Sequence, residues 1–333
     1  MKEVVDSKVF ENICKKQSNK YLIMRSDQMT ESILTRTTEL NNGIKMPVFG
    51  LGVWKTDNTN AANSVSTAIQ NGYKMLDTAK QYGNQPGVGA GIKDGLLKTG
   101  LNRKDLFVTS KVFNGDVGYQ STLKGFYETL NELQLTYLDL YLIHWPVDGR
   151  YLDSWHALEE LYRKGKIKVI GISNFDNKRL QDLLEHSDVT PAINQLEFNP
   201  LNQEKDIQQL MQLQGIQLEA WSPLGGGDSL NDPTIQKLAD KYHKTAAQII
   251  LQWDVQQDVI TIPKSVHEKR IIENSQVGDF ELSKDDIVAI NRLDQAKRSL
   301  WYEDFDWHDP QNPNGISDTI DQWDDREKFL GKK

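Results

Sequence analysis

Three short segments, LDTAKQY (76–82), VTSKV (108–112) and LYLIHWP (140–146), carry groups able to move or steer a proton at or just past the end of an apolar run. The groups are the carboxylate of Asp77, the phenol of Tyr82, the amine of Lys111 and the imidazole of His144. The runs before them are 73–76, 106–108 and 138–143. Side chains that need solvation do not normally finish core strands. Four of them doing so predicts that they meet at the C-terminal mouth of a parallel β structure, where α/β enzymes keep their chemistry.

Such a set can deliver a proton to a developing alkoxide. A phenol, with an ordinary pKa of about 10, is a poor acid at neutral pH. A lysine beside it stabilises the phenolate and is expected to lower that pKa. An aspartate beside the lysine keeps the amine charged and in place, and a histidine can orient a carbonyl oxygen. None of the four is a strong nucleophile. The six histidines and the single cysteine, Cys14, show no HxH, HExxH or CxxC spacing, so no metal is expected. A hydride from a nicotinamide cofactor fills the remaining requirement.

The elements that must position these groups recur from residue 40 onward. Apolar runs at 47–54, 73–77, 106–112, 137–145, 168–175, 192–198, 216–224 and 258–265 alternate with helical patterns. NAANSVSTAIQNG ends at a capping glycine, Gly72. STLKGFYETLNELQL repeats apolar residues at spacings of three and four. SWHALEELYRKGK is expected to start at Ser154 as N-cap. KRLQDLLEHS, DIQQLMQLQG, IQKLADKYHK with AAQIILQWDV, and HEKRIIENSQV follow. Eight strand–helix units predict a closed (β/α)8 TIM barrel. FGLGVW lacks the G-x-G-x-x-G spacing, so Gly50 and Gly52 are expected to make room near a ligand, with no dinucleotide fingerprint. Asn42-Gly43 predicts a two-residue β-hairpin that plugs the bottom of the barrel. ELSKDDIVAINRLD predicts a final helix, followed by an irregular aromatic tail, LWYEDFDWHDPQNPNG.

The 333 residues, 38% apolar and 26% charged, suit one large α/β domain, expected over 38–315. Residues 1–28 read as a disordered or misannotated extension and 316–333 as a polar tail. A net charge of −8 argues against nucleic-acid and anionic-membrane partners. No apolar stretch is long enough to span a bilayer, and no convincing signal peptide precedes Met29. These features predict a cytoplasmic protein, monomeric, acting on a small molecule.

GYKMLDTAKQYGN (72–84), TSKVFN (109–114), YLIHWP (141–146), GISNF (171–175), NQLEFNP (194–200), AWSPLG (220–225) and IPKSVHEKRIIEN (262–274), in that order, resemble the aldo-keto reductase family. The bacterial members related to 2,5-diketogluconate reductase are the most similar branch. The resemblance runs from about residue 38 to the C-terminus and implies NADPH-dependent reduction of an aldehyde or ketone. It makes Tyr82 the general acid, Lys111 its pKa partner, Asp77 the partner of Lys111, and His144 the residue that orients the carbonyl. It places Ser173, Asn174 and Gln195 on the nicotinamide carboxamide and Trp221, where the family more often has tyrosine, against the ring. Ser222 and Leu224 would run along the pyrophosphate. Lys264, Ser265 and Arg270 would receive the adenosine 2′-phosphate, with Val266 also against the cofactor and Glu273 and Asn274 toward the adenine. Trp54, Trp145 and Trp301 would wall the substrate pocket, the last from the aromatic tail, which otherwise simply covers the barrel. Gln85 replaces a usual glutamate and Phe113 a usual tryptophan; both leave the proton-transfer residues untouched.

Each residue alone has a duller explanation. Asp77 caps a turn, Tyr82 is half-buried, Lys111 snorkels, His144 is a hydrogen-bonded core histidine, and Arg270 is a solvated helix charge near Asn274. Jointly these require several coincidences at one mouth. Two rival functions stay open on the residues: a barrel that keeps NADPH but signals to a partner, and a sugar-phosphate isomerase or aldolase with a Schiff-base lysine.

Overall fold

The computed structural model describes residues 32–147 and 149–298. The 1–28 extension, Trp301 with the rest of the aromatic tail, and 316–333 lie outside the described residues. Among the described residues ten strands form, and the eight parallel ones fall on the eight apolar runs. β1 (Thr37–Glu39) and β2 (Lys45–Pro47) pair antiparallel. The other eight are β3 (Leu51–Gly52), β4 (Met75–Asp77), β5 (Phe107–Val112), β6 (Leu138–Ile143), β7 (Ile167–Ser173), β8 (Ile193–Glu197), β9 (Gln217–Trp221) and β10 (Ile260–Thr261). They run parallel in chain order, and Phe49–Thr261 and Gly52–Lys264 bridges close the sheet into the expected barrel.

That closure accounts for the room expected at Gly50 and Gly52, which the approach of the first and last strands takes up. Gly50 N donates to Thr261 O (3.0 Å) and Gly52 N to Pro263 O (3.2 Å). A Cβ on Gly52 would lie 3.0 Å from Ile262 O, and one on Gly50 2.7 Å from Met75 Cε. The glycines let the first and last strands approach each other.

Side chains alternate across each strand. Leu76, Val108, Tyr141, Ile143, Ile170, Ile172, Leu196 and Leu218 pack outward against the helices. Met75, Phe107, Leu140, Leu142, Val169, Ile193 and Ile260 fill the lower interior, where Leu40 and Met46 of the hairpin join them. The hairpin therefore plugs the barrel as predicted, but its turn differs. Leu40 N donates to Ile44 O and Gly43 N to Leu40 O, giving a three-residue loop, Asn41 to Gly43, with Gly43 at φ 81°. Asn41 Nδ2 and Asn42 Nδ2 donate to Pro191 O and Lys168 O, so both asparagines serve to fasten the plug to the barrel.

The helices that cover the barrel are α1 (Asn58–Gln70), α2 (Gln85–Thr99), α3 (Tyr119–Leu133), α4 (Tyr151–Arg163), α5 (Asn177–Glu185), α6 (Lys205–Gln214), α7 (Pro233–Tyr242), α8 (Ala246–Gln256), α9 (Glu268–Ser275) and α10 (Lys284–Asn291). The last is the predicted final helix. Helix α4 starts before Ser154, whose hydroxyl instead accepts from Gly118 N (2.8 Å) inside the helix layer. Helix α2 had no counterpart among the sequence patterns. Its glycines lower helix propensity, yet they are what lets it pack. A Cβ on Gly87 would sit 2.2 Å from Asn58 O, and one on Gly89 2.5 Å from Leu133 O. Among the described residues no helix is long and apolar enough to cross a membrane.

Candidate active site

The upper interior is polar where the lower is apolar. Asp77 closes β4, Lys111 sits one residue before the end of β5, and His144 follows β6 directly; Tyr82 ends a 3-10 turn, Lys80–Tyr82, beyond β4. Lys111 Nζ donates to Asp77 Oδ1 (2.6 Å), Thr78 O (3.2 Å) and the Tyr82 hydroxyl oxygen (3.2 Å). The Tyr82 and His144 rings lie 5.7 Å apart at 73°. All four predicted residues thus meet at one end of the barrel.

This geometry decides several of the duller readings. Lys111 is 0% exposed, so it does not snorkel. Both Asp77 oxygens accept from side chains, Oδ1 from Lys111 and Oδ2 from Gln195 Nε2 (2.9 Å). His144 is buried, and its Nδ1 has no hydrogen-bond partner among the described residues, so backbone hydrogen bonding does not explain it.

Electrostatics assign protonation states. Burial raises the Tyr82 pKa more than the Lys111 ammonium lowers it, with Asp77 and Glu219 adding to the rise. The expected net lowering is therefore corrected: the phenol keeps its proton, and Lys111 limits the rise. Burial pulls the Lys111 amine down, but Asp77 and Tyr82 outweigh it and hold the amine charged. Burial, helped by the Lys111 charge, keeps His144 neutral. Because Lys111 donates to the phenol oxygen, the proton of Tyr82 is left to point elsewhere.

A second cluster adjoins the first. Ser173 Oγ donates to Gln195 O (2.8 Å). Asn174, in the left-handed region at φ 63°, donates through Nδ2 to His144 O and Ser173 Oγ, both at 3.0 Å. Trp221 Nε1 donates to Asn174 Oδ1 (2.9 Å), which pins the indole at the mouth. Ser173, Asn174, Gln195 and Trp221 are thus brought together as expected. Both N–H groups of Gln195 are engaged, on Asp77 and on Glu219 Oε2 (2.9 Å), so its remaining capacity is as an acceptor.

Along the rim, Ser222 adopts φ 51° and Leu224 caps the glycine-rich 3-10 segment Gly225–Asn231. Lys264, Ser265 and Val266 follow β10, and Ser265 Oγ accepts from His267 N (3.1 Å) ahead of α9. Arg270 stands exposed on α9, with Glu273 and a buried Asn274 beyond it. Partial burial and the neighbouring Lys55 charge lower the Lys264 pKa. Lys55 escaped the sequence reading; it sits three residues past Gly52, whose bridge to Lys264 signals their proximity. Trp145 is buried, its ring 6.0 Å from that of His144, and Trp54 is half-buried under the Lys55 amine. Phe113 lies 5.9 Å from the Lys80 amine. Gln85 links β5 to α3, accepting from Ser110 Oγ (2.7 Å) and donating to Glu132 Oε2 (2.8 Å), a structural role for that departure.

An eight-stranded α/β barrel with a phenol, an ammonium, a carboxylate and a neutral imidazole at its C-terminal mouth is the architecture of a barrel enzyme. Residues 48–295 match the Aldo/keto reductase family, and the chain belongs to it. It is 50% identical over 271 residues to the uncharacterized oxidoreductase YtbE of Bacillus subtilis, covering 81% of this chain and 96% of that protein. It is also 50% identical over 266 residues to the glyoxal reductase of the same organism, covering 80% of this chain and 95% of that one. Among solved structures, a Bombyx mori aldo-keto reductase in complex with NADP superposes with a TM-score of 0.77 at 31% identity, covering 81% of this chain and 97% of that one.

Proposed function

We propose that the chain reduces an aldehyde or ketone to an alcohol with NADPH, using Tyr82 as proton donor. The observation that carries this is the buried row Asp77–Lys111–Tyr82, at 2.6 and 3.2 Å, ending at a phenol beside a neutral His144. The residues present fit a phosphorylated dinucleotide. Trp221 offers a pinned flat face for a ring, and Gln195 an acceptor for a carboxamide N–H. Ser173 and Asn174 lie beside that acceptor. Partial burial and the Lys55 charge both disfavour the Lys264 ammonium, and a phosphate beside the two lysines would offset that. Ser222 and Leu224 would follow the pyrophosphate. Lys264, Ser265 and Arg270 would hold the 2′-phosphate, Val266 would lie against the cofactor, and Glu273 and Asn274 would take the adenine end. Trp54 and Trp145 would wall the substrate side.

NADPH, when bound, supplies the hydride for the carbonyl carbon. Tyr82 and His144 hold the carbonyl oxygen by hydrogen bonds. Tyr82 gives its proton to that oxygen as negative charge develops there. Lys111 steadies the phenolate left behind, and Asp77 keeps the ammonium aimed at it. The half-identical relative named glyoxal reductase makes small dicarbonyl aldehydes the first substrates to try. The test is NADPH oxidation, followed by absorbance, over aldehydes, dicarbonyls, α-keto acids and keto-sugars. Consumption with at least one of them is expected; NADPH binding without turnover on any would contradict the reading and favour a sensing role.

A further inference from the structure

The hydrogen-bonded row does not stop at Asp77. β8 lies opposite β4 in the closed barrel, and Gln195 spans the interior from one to the other. Its two N–H groups join Asp77 Oδ2 to Glu219 Oε2, each at 2.9 Å. Tyr82, Lys111, Asp77, Gln195 and Glu219 therefore form one continuous chain of contacts across the upper barrel. Glu219 is 0% exposed, and its Oε1 has no hydrogen-bond partner among the described residues. The strand residues beside it are Gln195 on β8 and Ile260 on β10, neither charged. The charged and titratable groups acting on it from across the barrel are Asp77 on β4 and Lys111 on β5, and it acts in turn on Tyr82.

Charge counting fixes its state. Among the described residues, the cation in this row is Lys111, already paired with Asp77 at 2.6 Å. A second carboxylate there has only an amide N–H as partner, and an uncompensated buried charge costs far more than an un-ionised acid. Burial and repulsion from Asp77 act in the same direction, against Gln195 and Lys111.

We propose that Glu219, as an un-ionised acid, is a positioning residue that holds Gln195, and through it Asp77, so that Lys111 stays aimed at Tyr82, and that ionisation of Glu219 disables the site. The assignment rests on the reductase reading above. With Gln195 held on Glu219, its amide cannot turn and release Asp77 Oδ2. When Glu219 loses its proton, the hydrogen-bonded row carries two carboxylates, Asp77 and Glu219, against one ammonium, Lys111. Proton loss from the phenol then becomes harder, and the donor row loses its charge balance.

The experiment compares wild type, Glu219→Leu and Glu219→Gln by steady-state NADPH oxidation with a reducible aldehyde from about pH 6 to about pH 10, alongside NADPH binding by fluorescence. Glu219→Leu is expected to lower kcat at least roughly tenfold, with KM little moved and NADPH affinity falling less than kcat, through the loosened Gln195 amide. Glu219→Gln, which keeps the shape of the neutral acid and cannot ionise, is expected to recover most of that loss and to shift the alkaline fall in kcat upward. Infrared difference spectra are expected to show a protonated-carboxyl stretch at neutral pH that Glu219→Gln abolishes, a readout that does not depend on turnover. An unchanged kcat in Glu219→Leu, an unshifted alkaline limb in Glu219→Gln, or absence of that stretch would each overturn the proposal. Wild-type protein silent toward every carbonyl would overturn the reductase reading, and the positioning role with it.

Discussion

The lower and upper halves of the barrel interior are built on the same strands, two residues apart. On β4, Met75 points into the lower half and Asp77 into the upper; on β8 the pair is Ile193 and Gln195. The lower half is an apolar plug, capped by Leu40 and Met46 of the hairpin, whose loop is fastened from outside by Asn41 and Asn42. The upper half is a chain of polar contacts from Glu219 to Tyr82, with Glu219 Oε1 and His144 Nδ1 left without a hydrogen-bond partner among the described residues. The difference separates two ways of using burial. Below, burial stabilises by removing apolar surface from water. Above, it costs stability, and in exchange it sets which of Tyr82, Lys111, His144 and Glu219 hold protons.

The contrast can be broken from either side. The largest effect on stability belongs to the lower half. Leu142→Ala is expected to destabilise by about 2–5 kcal/mol, read by denaturant unfolding, with turnover per folded molecule nearly preserved. A comparable fall in kcat with no loss of stability would mean the two halves are not separable. The rim comes next. Arg270→Ala is expected to weaken NADPH binding by roughly tenfold to a hundredfold, about 1.4–2.7 kcal/mol for charge-assisted contacts, while NADH binding barely changes. Equal losses would remove Arg270 from the 2′-phosphate site. The smallest effect lies far from both halves. Asp286 accepts from Lys241 Nζ and Ser283 Oγ at the start of α10; burial opposes its ionisation, but Lys241, Ser283 and Tyr242 outweigh it and hold its pKa at about 2. A depressed carboxylate contributes stability above its unfolded pKa and loses it as pH falls through the folded value. Asp286→Asn is therefore expected to cost about 1 kcal/mol at neutral pH and to flatten the acid loss between pH 3.8 and about 2. An unaltered acid limb would assign that loss elsewhere.

Much of this contrast was legible in the sequence because it follows a period of two. Strands with inward and outward apolar residues read as unbroken runs, and a charged or hydroxylated residue at their ends stood out. Helix α2 was not legible, since the glycines that let it pack against Asn58 and Leu133 are those that weaken its helical pattern. Glu219 was missed for a related reason. In IQLEAW it stands inside an apolar run, where its sharing a strand face with Trp221 two residues on is the available signal. The sign of the Tyr82 shift could not be read from residue types, because burial, known only from the fold, outweighs the lysine. The turn at Asn41–Gly43 depended on whether Leu40 and Ile44 pair, which the Asn-Gly signal leaves open.

The claim on which the account turns is that the Tyr82 hydroxyl gives the proton. Tyr82→Phe removes one oxygen and leaves the ring against His144. With NADPH and an aldehyde that wild type reduces, the variant is expected to fold and bind NADPH as before while kcat falls by roughly 10²–10⁴-fold, the share a positioned general acid contributes. A variant that turns over at the wild-type rate with the same NADPH affinity would contradict it.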